Sequence, residues 1–411
     1  MTNDTPTASK PLRIGFDATV LSYNKEGIGN YVAELINAVN NLASAKDIVP
    51  VLFVYVDYLQ RAKLKFPQCE LLALALPNKP FSGVKTARAI AQAAKLAKID
   101  ILVSTHSHLL PIFFKPCVYL VHDISPLTHP QYYNLSTGGL QQKLFNWLFR
   151  KGLNSAQKIL VTSEFVGKEI TEFAKAPVSK IEVIGAGAAG WLDLEIAAET
   201  SESILAKYDL IPNNYFLSIG TVSPRKNYEF LLKAYAEYLK TKLAEVSKDQ
   251  ALHLSKLVIV GKLGWDYAQF LELAQKLEKE LQELVASAKL TQPVEGKLIN
   301  YLGFVEDSTA NVLTKHAIAL VALAKYEGFG MPLLEASLIG KEIICSNIAP
   351  FQETFAKVAH FVDIGSLEDI ISTLKAVENG ARLNSPEIAG KLAKKYNWQR
   401  VAKKLISTMT T

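Results

Sequence analysis

Short apolar runs alternate with helically spaced stretches along almost the whole chain, and this alternation constrains the fold more than any other feature. Strand-sized runs lie at residues 12–16, 49–56, 101–104, 118–121 and 159–162, with a helical pattern at 29–42. The series restarts at 215–219 and continues at 257–260, 298–302, 318–322 and 342–345. Strands apolar on both faces need cover on both faces, so such βα repetition builds parallel sheets flanked by helices. The pattern alone is also compatible with a closed barrel. Residues 188–214, a loop with a short amphipathic stretch, divide two complete series, and two doubly wound α/β domains facing across a cleft fit better. The expected layout is a disordered lead at 1–10, domains at 11–190 and 215–390, a linker at 191–214 and a closing helix at 391–411.

With 411 residues, 49% of them hydrophobic, the chain has ample material for two cores. The longest apolar runs, such as 48–56, are too short to span a bilayer, and Met1 to Lys10 lack the apolar centre of a secretory signal. Cys69, Cys117 and Cys345 are scattered without a C-x-x-C pair, as expected of buried thiols in a reducing, cytoplasmic compartment. Residues 1–190 hold 20 Lys and Arg against 13 Asp and Glu, while the remainder hold 25 against 26. Ordinary solvation accounts for that excess, and an anionic membrane or acidic acceptor is the alternative. No basic run is interleaved with aromatics, so nucleic acid is not an expected partner. The charged segments 233–256 and 271–288 are expected as long surface helices, the second packing through Leu271, Ala274, Leu277, Leu281 and Leu284.

The chemistry concentrates in Glu327-Gly328-Phe329-Gly330-Met331-Pro332-Leu333-Leu334-Glu335, directly after the apolar run 317–324. Glycine lets backbone approach a ligand, and Pro332 stands where a helix is expected to begin. The amides of such a helix start suit phosphate. Ionised carboxylates accept hydrogen bonds only, so Glu327 and Glu335 suit sugar hydroxyls instead. A nucleotide sugar carries both kinds of group, and the run therefore points to glycosyl transfer. Gly220-Thr221-Val222-Ser223-Pro224-Arg225-Lys226-Asn227 opens a helix expected at 228–238, and Arg225 beside Lys226 suits a departing diphosphate. Arg225 and Glu327 are expected to share one pocket.

Lys25-Glu26-Gly27-Ile28-Gly29-Asn30-Tyr31 sits between the first strand and first helix, with Val32 where a dinucleotide fingerprint needs its third glycine. A Rossmann oxidoreductase is disfavoured, although Gly27 and Gly29 still permit close approach to phosphate or acceptor. His122-Asp123 follows the strand 118–121 at a carboxyl edge, which favours a functional reading of His122 over a structural one. His106-Ser107-His108 has the alternation of a metal pair, but a metallohydrolase of the amidohydrolase type needs it after its first strand. No D-x-D motif stands ready for a divalent ion, since Asp193-Leu194-Glu195 lies in the linker, and no metal is expected. At 140–158, Leu140, Leu144, Trp147 and Leu148 repeat at helical spacing beside Phe145, Phe149, Lys143, Arg150 and Lys151. A core-facing stripe is the first reading, and an interfacial membrane helix the second.

Over nearly its whole length the chain resembles the retaining glycosyltransferases of family 4, with the GT-B architecture. The resemblance lies in EGFGMPLLEA at 327–336, PRKN at 224–227, GIGNY at 27–31, VHDISPL at 121–127, VTSEF at 161–165 and KYNWQRVAKKL at 395–405. It implies two Rossmann-like domains, the final helix packing back on the first, and a nucleotide-sugar donor held by the second without metal or other cofactor. By that likeness Arg225 and Lys226 meet the diphosphate, Glu327 the sugar with the amides of Phe329, Gly330 and Met331, and Glu335 the ribose. His122 is expected near the reacting sugar, Gly27, Gly29 and Gly220 near phosphate or acceptor, and Gly303, Phe304 and Val305 beside the base. The run VHDISPLTHPQYY looks most like mannosyltransferases of bacterial polysaccharide assembly, so GDP-mannose is the favoured donor and a glycan or lipid-linked saccharide the acceptor. An epimerase of the same fold and a non-catalytic sugar-nucleotide binder are the rival readings. Ala349-Pro350-Phe351-Gln352-Glu353 departs from the family pattern.

Overall fold

The computed structural model of the chain describes residues 10–23, 27–76, 83–105, 113–133, 139–245, 254–288 and 296–410. Most of the expected lead, Lys25, Glu26 and the His106-Ser107-His108 run lie outside these residues. The chain divides into two compact units, one of Met1–Ile124, Gly138–Gly187 and Tyr396–Thr411, the other of Ser125–Thr137 and Ala188–Lys395.

The first unit holds β1 (Leu12–Asp17), β2 (Ile48–Tyr55), β3 (Glu70–Leu74), β4 (Ile101–Ser104), β5 (Cys117–Val121), β6 (Lys158–Val161) and β7 (Ile181–Val183). They pair in parallel in the order β3-β2-β1-β4-β5-β6-β7. The second holds β8 (Tyr215–Ile219), β9 (Lys256–Val260), β10 (Ile299–Gly303), β11 (Ala319–Ala322), β12 (Glu342–Ser346) and β13 (Ala359–Val362). These are again all parallel, in the order β10-β9-β8-β11-β12-β13. Each sheet therefore winds outward in both directions from a switch point, β1/β4 in the first and β8/β11 in the second. Both sheets are open, which excludes the barrel.

Their cores follow from the sequence pattern. Val51, Phe53 and Tyr55 of β2 bury against Ile90, Ala91 and Ala94 of the helix Gly83–Leu96. In the second unit Phe216, Ile259 and Val321 are buried with Leu231, Leu232 and Tyr235, at helical spacing on Tyr228–Glu245. Each buried Val, Ile, Leu or Phe among them contributes about 1.5–3 kcal/mol.

Several expectations need correction. The segment 233–256 is not one surface helix. Tyr228–Glu245 buries Ala234, Tyr235, Ala236, Tyr238 and Leu239, and Lys256 already belongs to β9, its ammonium reaching Asp209 O. The stretch 271–288 does form a helix, Ala268–Ser287, with Phe270, Ala274, Leu277 and Leu281 inward. Residues 191–214 are not a bare linker, because they carry the helix Ala198–Lys207 and belong to the second unit. The closing segment breaks at Tyr396. The helix Pro386–Lys395 stays with the second unit, and Trp398–Thr410 packs on Gly27–Lys46 in the first. Gly27 and Gly29 lie in the first turn of that Gly27–Lys46 helix rather than in a loop before it.

Backbone bonds continue across the second sheet beyond its strand ends. Gly220 N donates to Val260 O and Gly261 N to Gly303 O, each at 2.8 Å. The fit tolerates no side chain at Gly261, where a Cβ would lie 2.0 Å from Gly220 O and φ is +147°. Gly261→Ala is expected to lower unfolding stability by roughly 3 kcal/mol through combined clash and strain, measurable by urea denaturation.

Candidate active site

Ligands of doubly wound sheets bind beyond the carboxyl ends of the strands at the switch point. In the second unit the chain leaving β8 carries Arg225 and Lys226, and the chain leaving β11 carries Glu327. Adjacent strands thus deliver residues about a hundred positions apart in sequence to one place. Lys325 N donates to Arg225 O at 2.8 Å, and Arg225 Nη1 donates to Tyr326 O at 3.3 Å, fastening the two loops together.

The turn Pro224–Lys226 shows why the Pro-Arg-Lys-Asn run has this composition. Proline presets the first φ, and Asn227 takes the left-handed conformation (φ 60°) that asparagine tolerates better than most residues. Asn227 O then accepts from Phe230 N and Leu231 N, starting the next helix. The two cationic side chains are thereby fixed side by side.

Glu327 lies between them. Its Oε2 is 2.9 Å from Arg225 Nη1, and its Oε1 pairs with Lys226 Nζ. All three side chains are largely buried. Burial pushes the carboxyl upward, but the adjacent Arg225 and Lys226 charges outweigh that effect and hold it down at about 2. The carboxylate is ionised throughout the physiological range and bridges the two cations.

Gly330 closes the turn after Glu327, with φ 100° and no room for a Cβ, which would lie 2.7 Å from Phe351 Cε1. The helix Met331–Leu338 follows, with Pro332 in its first turn and Glu335 buried within it. Phe329 is buried just before the glycine. Gly220 sits at the end of β8, where its carbonyl accepts from Tyr228 Oη at 3.0 Å and its α-carbon faces Lys226. Gly303 ends β10 with φ +69° and open space before it; Phe304 and Val305 follow. Lys262 Nζ lies 5.0 Å from the centre of the half-exposed Phe304 ring. In the second unit, then, Arg225, Lys226 and Glu327 are in direct contact, while Gly303, Phe304 and Val305 belong to another strand end.

His122, Gly27 and Gly29 belong to the first unit. His122 Nε2 donates to Thr105 O at 3.0 Å, so Nδ1 is the acceptor nitrogen. Burial lowers its pKa to about 4, leaving the imidazole neutral and unsuited to act as a phosphate-binding cation. Tyr31 meets His122 edge to face at 4.8 Å and Trp398 at the same distance, while its hydroxyl donates to Gly185 O at 2.6 Å. Gly187 lies against Trp398, with only 2.6 Å between a hypothetical Cβ and Trp398 N.

Sequence reasoning missed Asp17 at the end of β1. It is buried, accepts from Thr19 N and Oγ1, and is raised to about 6 by desolvation. Its place at the first sheet's switch point was the available signal. Also missed were His129, Tyr132 and Tyr133, which pack within the second unit. The dense run of His and Tyr after a buried strand was their signal.

The helix Leu140–Ser155 departs from the core-facing reading. Phe149 and Leu153 are buried, but Leu144 and Trp147 are 53% and 55% exposed, with Lys151 Nζ 4.8 Å from the Trp147 ring centre. Among the described residues no helix is long and apolar enough to cross a membrane.

This architecture has clear relatives. Residues 26–188 match the family model for Glycosyltransferase Family 4, and residues 205–396 that for Glycosyl transferases group 1. The chain carries the paired domains of Glycosyltransferase Family 4 and Glycosyl transferases group 1 and is a glycosyltransferase of GT-B fold. It is 26% identical to O-antigen chain mannosyltransferase B of Escherichia coli, over 96% of this chain and 99% of that protein. It is 23% identical to O-antigen chain mannosyltransferase RfbU of Salmonella typhimurium, over 86% and 87%. Among solved structures, WaaG, a glycosyltransferase involved in lipopolysaccharide biosynthesis, has the same fold (TM-score 0.70, 14% identity, 97% and 99% coverage). Anabaena HepE in complex with UDP and glucose does too (TM-score 0.65, 14% identity, 97% and 99%).

The Glu327 pairing carries a pH signature. A carboxyl held at about 2 when folded, against 4.5 ordinarily, stabilises the fold fully above pH 4.5 and loses that contribution as pH falls toward 2. Glu327→Gln is therefore expected to unfold more easily than wild type by about 3 kcal/mol at neutral pH. The gap is expected to shrink as pH drops below 4.5, as followed by circular dichroism.

Proposed function

We propose that this enzyme transfers mannose from GDP-mannose to a saccharide or lipid-linked saccharide acceptor, with retention of anomeric configuration and without a metal. The meeting of Arg225, Lys226 and Glu327 at the β8/β11 switch point carries the reading. The likeness to two O-antigen mannosyltransferases over most of the chain supports mannose as the sugar.

Chemically, the bond between the anomeric carbon and the diphosphate oxygen breaks as the acceptor oxygen bonds to that carbon from the same face. The acceptor proton passes to the departing phosphate oxygen. Charge grows on the diphosphate as it leaves, and Arg225 and Lys226 stabilise it from fixed positions, which is the most effective electrostatic arrangement. As the diphosphate engages these cations, Glu327 becomes available to accept from sugar hydroxyls. The helix start at Met331 adds amides toward the phosphates, and Glu335 accepts from the ribose. With two fixed cations facing the diphosphate, a divalent ion is not required to neutralise it.

Leu144 and Trp147, exposed beside Lys143, Arg150 and Lys151, support peripheral contact with an anionic membrane at the cytoplasmic face.

Arg225→Ala is expected to lower GDP-mannose turnover about 10²–10³-fold, with wild-type activity unaffected by EDTA. Equal turnover in the variant, preference for UDP-glucose, or loss of activity on chelation would each overturn the matching part of the reading. In flotation with anionic vesicles at low salt, the wild-type chain is expected to rise with the lipid and a Leu144→Ser/Trp147→Ser variant to stay below.

A further inference from the structure

The chain leaves the first unit after Ile124 and returns at Gly138, and the segment between belongs to the second unit. Its described part comprises a helical turn at Ser125–Thr128 and another at Pro130–Tyr133. Two aromatic contacts fasten it there. Trp265 Nε1 donates to Tyr132 O, and the Trp265 ring stacks on Tyr133 at 5.1 Å. His129 lies parallel to Tyr132 at 5.4 Å and meets Tyr326 at 4.9 Å. Thr128 Oγ1, 2.8 Å from His129 Nδ1, fixes the imidazole orientation.

Tyr326 is the link to chemistry. Its carbonyl accepts from Arg225 Nη1, and the next residue is Glu327. The Tyr326 side chain is 4% exposed, so its ring is held by what packs on it, and the His129 ring is part of that packing. A void in place of the imidazole would release the Tyr326 ring to other rotamers and loosen the peptide carbonyl that orients the guanidinium.

We propose that His129 is a positioning residue for the leaving-group site, holding Tyr326 so that its carbonyl presets Arg225. The proposal rests on the reading of Arg225 as the diphosphate partner. It makes an excursion from the first unit's sequence part of the second unit's machinery. The imidazole acts here by shape, not by proton transfer, and a ring of similar size should serve.

The test compares steady-state turnover of whichever of GDP-mannose and UDP-glucose the wild-type full-length chain consumes. His129→Ala is expected to lower kcat about tenfold, short of the roughly 10²-fold that a 1 Å misplacement of a catalytic group can cost, with donor KM changed less than about twofold because ground-state contacts persist. His129→Phe is expected to regain most of that loss. If phenylalanine is as impaired as alanine, or if the loss falls on KM alone, the proposal is overturned. Should His129→Ala fail to fold, Tyr326→Leu removes the same ring contact and is expected to show the same kcat loss; wild-type kcat there overturns it. Arg225→Ala measured in parallel separates the two readings. Full activity in Arg225→Ala sinks the donor site and the proposal together, whereas a crippled Arg225→Ala beside a normal His129→Ala sinks the proposal alone.

Discussion

One carboxylate shared by two cations is the interaction on which the second unit's site depends. Withdrawing Glu327, Arg225 and Lys226 from water costs several kcal/mol per ion, and removal of one member of such a group leaves the rest buried and uncompensated. The arrangement persists because strand topology delivers all three to one point and main-chain bonds lock the loops that carry them. The same pairing holds the Arg225 and Lys226 side chains in fixed positions beside the carboxylate.

The first unit solves a different problem with rings. Tyr31 brings together His122, Trp398 and Gly185, which come from three distant stretches of sequence. This gives a structural reason for the co-occurrence of the Gly-Ile-Gly-Asn-Tyr run and the terminal Asn-Trp-Gln-Arg run: they pack on one another. It also fixes His122 as a neutral imidazole with Nε2 committed to Thr105 O, which narrows its chemistry to positioning or accepting.

Legibility in the sequence tracked burial. Buried central strands such as β1, β5, β8 and β11 are continuous apolar runs and were readable. β7 and β13 were not, because they are short sheet edges with partly exposed residues, whereas the edge strand β3 carries the apolar run 71–74 and was overlooked. Helix faces were misjudged where charge was dense: lysines and glutamates line one side of Tyr228–Glu245, yet the other side is a wall of the core. The opposite error fell on Leu140–Ser155, where helical spacing suggested burial but Leu144 and Trp147 stay exposed. Periodicity specifies that a helix has two faces; it does not say which neighbours are present to cover them.

By itself the sequence determined the parallel α/β character, the duplication of that pattern and the residue types of the site, because turn glycines, proline and paired charges act locally. Tertiary structure decided what those residues touch. Glu327 stands within ion-pair distance of Arg225 only because β8 and β11 are neighbours across a switch point, and strand order is invisible to local pattern. His129 reached Tyr326, and the chain changed units at Ser125 and Tyr396, for the same reason: long-range packing chooses among surfaces that local propensity leaves equivalent.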